Sequence, residues 1–143
     1  MVIKAILKSK GDAVVTISPF ESVSDALDTM VEHEIAALVL TKGAEVIGVV
    51  SEHDILKELS ESGVSILHAP VGLINIGRLV TVSPEETTKR VMQLMTHSRI
   101  RHLPVMENGQ LVGIVSVGDI VKYRLEELET ESNVLRDLSV AVR

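Results

Sequence analysis

The chain repeats itself at an offset of 65 residues, and that duplication constrains the fold more than any other feature. The shift lays Thr16-Ile17-Ser18-Pro19 on Thr81-Val82-Ser83-Pro84, Met30 on Met95, Ile35 on Ile100 and Leu38 on Leu103. It then lays Gly48-Val49-Val50-Ser51 on Gly113-Ile114-Val115-Ser116, and Asp54-Ile55-Leu56-Lys57 on Asp119-Ile120-Val121-Lys122. No gap is needed across 16–57 against 81–122.

Each copy predicts the same unit. A short β-rich piece, 13–17 or 78–82, ends at Ser-Pro, where proline stops a strand and can open a helix. Val23, Ala26, Leu27, Met30 and Val31 then mark one face of a helix, as Val91, Leu94 and Met95 do in the second copy. Two strands follow, at 37–41 and 45–50, then at 102–106 and 110–115. Asn108-Gly109 is a strong hairpin signal, because both central residues of that turn need positive φ. A further helix begins after Ser51 and after Ser116. The expected fold is therefore α/β (α+β): two β-α-β-β-α repeats packed with pseudo-twofold symmetry, since one copy alone leaves an apolar sheet face open.

The division that follows is 1–62 for the first repeat with its N-terminal segment, 63–77 for a connector, 78–125 for the second repeat and 126–143 for a helical extension. The connector carries Gly63, Pro70, Gly72 and Gly77 among Val64, Ile66, Leu67, Val71, Leu73 and Ile74. That mixture predicts helix end, turn and short helix rather than a disordered linker.

Composition removes several function classes. Phe20 and Tyr123 are the only aromatic residues, too few for a platform that stacks single-stranded bases. A net charge of −6 opposes binding to a phosphate backbone, so no nucleic-acid partner is expected. The absence of cysteine excludes disulfides, thiolate metal sites and cysteine nucleophiles, and fits a reducing compartment. Apolar runs fall far short of the roughly twenty residues of a membrane span. Residues 1–10 are too short and too charged for a signal peptide. A cytoplasmic protein with no membrane partner is the expectation. His33, His53, His68, His97 and His102 match no metal spacing, and no nucleophile elbow, P-loop or dinucleotide fingerprint is present. No catalytic residue and no metal site is assigned, and the chain is not expected to be an enzyme.

The repeated polar signature is Gly48-Val49-Val50-Ser51-Glu52-His53-Asp54-Ile55, matched by Gly113-Ile114-Val115-Ser116-Val117-Gly118-Asp119-Ile120. A strand ends at serine and a helix starts there, exposing N–H groups and a positive dipole end that suit phosphate. An aspartate one turn on can accept hydrogen bonds from a ribose diol. Ser-x-x-Asp equally fits a capping box, in which the two residues serve only the helix. The residues alone leave both readings open.

The whole pattern resembles a tandem pair of cystathionine-β-synthase (CBS) domains, the Bateman module, over about residues 13–125. The Ser-Pro after the first strand, Ile100-Arg101-His102-Leu103-Pro104-Val105, the Gly-aliphatic-aliphatic-Ser strand end and the Asp-Ile helix start carry the likeness. Such modules commonly bind AMP, ADP, ATP, NAD or S-adenosylmethionine between the repeats. The resemblance implies that Asp54 and Asp119 hold ribose hydroxyls, and that Ser51 and Ser116 touch phosphate or ribose. It implies that adenine rests near Thr16 and Ala37, or near Thr81 and His102, with Pro104 on the same strand as His102. His53 stands where many relatives carry arginine.

The copies differ in charge. Arg99, Arg101 and His102 stand where the first repeat has Glu34, Ala36 and Ala37. Read as a cationic rim, they predict tighter nucleotide binding at Asp119 than at Asp54. The tail from Asp119 predicts one long helix, with Val121, Leu125, Leu128 and Leu135 at near-heptad spacing, and a homodimer is expected. The functional expectation is a stand-alone regulatory module that senses an adenosine-containing small molecule and signals to a protein partner or its own dimer. The rival is a ligand-free structural dimerisation or adaptor module.

Overall fold

The computed structural model describes residues 1–142, with side chains through Ser139. Helix α1 (Ile3–Lys10) comes first, then β1 (Thr16–Ile17), α2 (Val23–His33), β2 (Ala37–Lys42), β3 (Glu45–Ser51) and α3 (Glu52–Ser62). Two 3-10 turns, Val64–His68 and Val71–Leu73, make the connector, and α4 (Thr88–Ser98), β4 (His102–Glu107), β5 (Gln110–Ser116) and α5 (Val117–Val142) follow. In the first repeat β1 runs parallel to β2, and β2 antiparallel to β3. In the second, β4 and β5 form the same hairpin, and the expected first strand is reduced to a single parallel bridge from Val82 to Val105.

The pseudo-symmetry extends to local detail. The β2–β3 register slips between Leu40 and Thr41, and the β4–β5 register slips between Val105 and Met106, 65 residues on. The N–H of Glu52 donates to the Ala36 carbonyl at 2.9 Å, and that of Val117 to the Arg101 carbonyl at 2.8 Å. Helices α2 and α4 both end on a non-glycine residue in the left-handed region, Glu34 at φ 54° and Arg99 at φ 55°. Asn108 and Gly109 take φ of 51° and 77°, as the hairpin signal requires.

Two expectations are corrected. The Ser-Pro pairs do not open helices: α2 and α4 begin further on, where Ser22 and Thr87 accept hydrogen bonds from the N–H groups of Asp25 and Arg90. Those side chains satisfy N–H groups that a proline start would have left to solvent. The N-terminal segment, read only for a targeting signal, is helical, and Ile3, Ile6 and Leu7 share its buried face.

That helix crosses between the repeats. Ile3, Ile6 and Leu7 pack into the second repeat's core with Val82, Val91, Met95, Leu103, Val105, Val115, Ile120 and Tyr123. Conversely Ile66, Val71 and Ile74 of the connector close the first repeat's core over Ile17, Val23, Ala26, Met30, Leu38, Leu40, Val50 and Ile55. Each repeat is thus completed by the segment that precedes the other one in sequence. Two glycines permit the approach. A Cβ on Gly113 would stand 2.5 Å from Leu7 Cδ2, and one on Gly48 would collide with the Ile76 side chain.

Helix α5 turns Ile120 and Tyr123 inward, while Val121, Leu125, Leu128 and Leu135 are exposed. No helix among the described residues is long and apolar enough to cross a membrane.

Candidate functional site

Strand β3 ends at Ser51, whose side chain and backbone close a capping box with Asp54. The Ser51 N–H and Oγ–H donate to Asp54 Oδ2 at 2.9 and 2.8 Å, and the Asp54 N–H donates to Ser51 Oγ at 3.2 Å. Both contacts to the carboxylate fall on Oδ2; Oδ1 takes no hydrogen bond among the described residues. Ser116 and Asp119 repeat the arrangement, with N–H donations at 2.9 Å to Asp119 Oδ2 and 3.1 Å to Ser116 Oγ. Capping thus uses one carboxylate oxygen of Asp54 and leaves the other without a partner among the described residues.

The surroundings of the two aspartates differ. Asp54 lines a cleft of about 580 Å³ together with Gly48, Ser51, Glu52 and His53 of its own repeat. The opposite wall is Ile76 to Val80, which includes Arg78, and then Arg99 to His102. A volume of roughly 300–1,000 Å³ is usual for a small-molecule site. Arg99 is delivered by the left-handed turn that ends α4, and Arg101 by the residues leading into β4. Three arginines thus line this cleft together with Glu52 and Asp54.

Arg99 and Arg101, expected beside Asp119, line the Asp54 cleft instead. Pseudo-twofold packing sends the second repeat's Arg99 and Arg101 to the first repeat's aspartate. Of the other expected site residues, Ser51, His53 and His102 line the Asp54 cleft, whereas Thr16, Ala37, Thr81, Pro104, Ser116 and Asp119 do not. Ala36, one residue before Ala37, takes its place on the wall. Pro104 is buried in β4, opposite Ile114.

His102 adds little charge to the rim. Burial pushes its imidazole below the ordinary 6.5; the Asp119 carboxylate opposes the shift, and Arg101 and Lys10 reinforce it. The net result is a neutral ring near pH 7.

Asp119 already has a cation. The Lys10 ammonium, at the end of α1, donates to Asp119 Oδ2 at 2.7 Å and to the Ile114 carbonyl at 3.0 Å. Burial raises the Asp119 carboxyl, but the Lys10 hydrogen bond, the Ser116 N–H and the Lys10 charge together bring it below its usual range. Lys10 carries no sequence signal of this role. The helix that delivers it does have one, the i, i+3, i+4 spacing of Ile3, Ile6 and Leu7.

The CBS-domain family model matches twice, over residues 7–61 and 73–126. The chain belongs to the CBS-domain family. It is 35% identical over 138 residues to the mitochondrial CBS domain-containing protein CBSX3 of Arabidopsis thaliana, covering 90% of this chain and 67% of that one. Its structure is similar to that of the CBS-domain containing protein ATU1752 from Agrobacterium tumefaciens. The TM-score is 0.84 at 38% identity, over 87% of this chain and 99% of the other. It also shares its fold with the CBS domain pair of protein MJ0100, solved with 5′-methylthioadenosine and S-adenosylmethionine. There the TM-score is 0.77 at 22% identity, over 89% of this chain and 98% of that one. Two such domains in tandem, with a cleft between them, make the chain a CBS-domain pair. Among the described residues no group of His, Asp and Glu is placed to hold a metal ion.

Proposed function

We propose that this CBS-domain pair is a regulatory module that binds an adenosine-containing nucleotide in the Asp54 cleft and passes its occupancy to a protein partner or a second copy of itself. The observation that carries the reading is the sharing of one cleft by Asp54, with Oδ1 unengaged, and by Arg78, Arg99 and Arg101. A carboxylate oxygen suits a ribose hydroxyl, and guanidinium forks suit phosphate oxygens. The adenosine ligands of MJ0100 support the ligand class in a protein of the same fold. The arginines favour the anionic members of that class, AMP, ADP, ATP or NAD, over the cationic S-adenosylmethionine.

The exposed leucines of α5 support the homodimer half of the reading. Leu125, Leu128 and Leu135 stand 55%, 46% and 66% exposed along one helix, a stripe fit for a second helix.

The test is calorimetric titration with AMP, ADP, ATP, NAD, adenosine and S-adenosylmethionine. Saturable binding of the phosphorylated ligands, with adenosine and S-adenosylmethionine weaker, is the expected result. Heat from none of them would overturn the nucleotide reading.

A further inference from the structure

Helix α5 outruns the module it belongs to. Ile120 and Tyr123 are buried, and Glu127 is held by the Arg124 guanidinium at 2.8 Å and the Thr88 hydroxyl at 3.2 Å. From Leu128 to Ser139 every residue is exposed. About three turns of helix therefore stand in solvent, and a helix of that length is marginal in water without a packed face. The segment carries the residues for one. Val121, Leu128 and Leu135 recur every seven residues with Leu125 between the first two, and all four are exposed. In heptad terms Leu125 and Ser132 take a positions, and Val121, Leu128 and Leu135 take d positions. Where the helix still lies on the module this seam points outward: Val121 and Leu125 are about 160° around the axis from buried Tyr123.

The charges choose a direction. The same heptad puts Arg124 and Glu131 at g, and Glu129 and Arg136 at e. In a parallel, in-register pair a g residue meets the e residue five places on in the other chain. Arg124 then meets Glu129 of the second copy, and Glu131 meets Arg136 of the second copy. Residues five apart do not share a face within one helix, and Glu129, Glu131 and Arg136 make no ion pair among the described residues. Arg124 has donors enough for both Glu127 and a second carboxylate. An antiparallel pair over the same turns, with Leu125 beside Leu135, would set Glu129 against Glu129 and Glu131 against Glu131.

We propose that the projecting part of α5 pairs with the same segment of a second copy as a parallel, in-register, two-stranded coiled coil. The inference rests on the homodimer half of the functional reading and adds to it a direction, a register and the residues that enforce them. Both modules then leave the same end of the coil, and their Asp54 clefts are related by a twofold axis along it.

The chain has no cysteine, so one introduced thiol reports its own neighbourhood. With oxidised glutathione as oxidant, Ser132→Cys at the seam is expected to form disulfide-linked dimers at least about ten times faster than Thr130→Cys on the outer face. A parallel register brings residue 132 to its own counterpart; the antiparallel one brings it to Leu128. Sedimentation equilibrium of the full chain then tests the charges. Glu131→Arg and Arg136→Glu are each expected to raise the dimer dissociation constant about tenfold, and an equimolar mixture to recover the wild-type value, since both interchain pairs are again of opposite sign. Equal cross-linking at 130 and 132, charge variants as tight as wild type, or a mixture no tighter than its components would each overturn the inference and leave the homodimer standing. A wild-type chain that stays monomeric at high concentration overturns both.

Discussion

Asp54 and Arg101 come from different repeats and line the same cleft. The residues that the proposed nucleotide reading makes ribose acceptor and phosphate donor therefore come from different repeats, and neither repeat alone lines the whole cleft. That relationship makes the contributions of the two residues separable by ligand chemistry.

Arg101→Ala is expected to weaken AMP binding about tenfold or more and to leave adenosine binding nearly unchanged. A hydrogen bond to a charged group is worth roughly 1.5–3 kcal/mol, or about 10- to 150-fold. Parallel titrations with the two ligands check it; equal losses for both would remove Arg101 from phosphate recognition.

Asp54 is expected to distinguish ribose from 2′-deoxyribose. AMP should bind about tenfold or more tighter than its 2′-deoxy analogue in wild type, because the deoxy ligand leaves the carboxylate short of a donor. In Asp54→Ala the preference should vanish. The ratio of the two dissociation constants, measured in both proteins, is the readout.

Stability is expected to fall as the pH drops below about 6.5, and His102 is one cause. Its imidazole is lowered in the folded state by burial, so the unfolded chain binds the proton more readily below the ordinary value of 6.5. The folded state is thus fully favoured above that pH and loses ground as pH falls toward the folded-state value. His102→Gln should flatten the melting temperature across this window. A second loss is due below pH 4. Although burial alone would raise Asp119, its hydrogen bonds and Lys10 hold the folded carboxyl low, so this stabilisation is present above the unfolded value and disappears on protonation. Lys10→Ala should shrink that acid limb. Melts from pH 3 to 8 of the three proteins separate the two effects.

Gly113→Ala is expected to destabilise by about 1–3 kcal/mol, since the new methyl would overlap Leu7 atoms at 2.5, 2.9 and 3.2 Å inside a packed core. Leu7→Ala makes room for it, so the double variant should cost less than the sum of the two. Strict additivity in denaturant titrations would place the strain elsewhere.

The α5 stripe predicts a dimer at micromolar concentration. Light scattering should report about twice the chain mass, and Leu125→Glu with Leu128→Glu should return the monomer without lowering the melting temperature of the module itself. A wild-type monomer at high concentration would remove the stripe from self-association.

The repeat, both hairpins and both helix starts at Ser51 and Ser116 were legible because each is set by neighbours in sequence. Asn108-Gly109 selects its turn through φ, and Ser-x-x-Asp closes its cap within one helical turn. The partner of Asp54 was not legible. Local pattern shows that Arg99 and Arg101 enter β4, but which aspartate they face depends on how one repeat docks on the other. A symmetric sequence is compatible with either pairing. The short first strands were overread for a related reason. Within residues 78–82, Leu79 and Val80 line the cleft, Val82 enters the core, and only Val82 completes a ladder contact. Helix α1 was legible in its spacing, but its place against the second repeat, and with it the role of Lys10, is a tertiary fact.

The exchange of leading segments also sets an order of events during synthesis. Helix α1 leaves the ribosome before every strand it will pack against, and β5 follows it by about a hundred residues. At roughly 5–20 residues per second that interval is about 5–20 s. Throughout it Ile3, Ile6 and Leu7 have no core to enter, although the first repeat already has all of its own strands. The emerging chain therefore passes through a stage in which this apolar helix is exposed, and its docking must await β5.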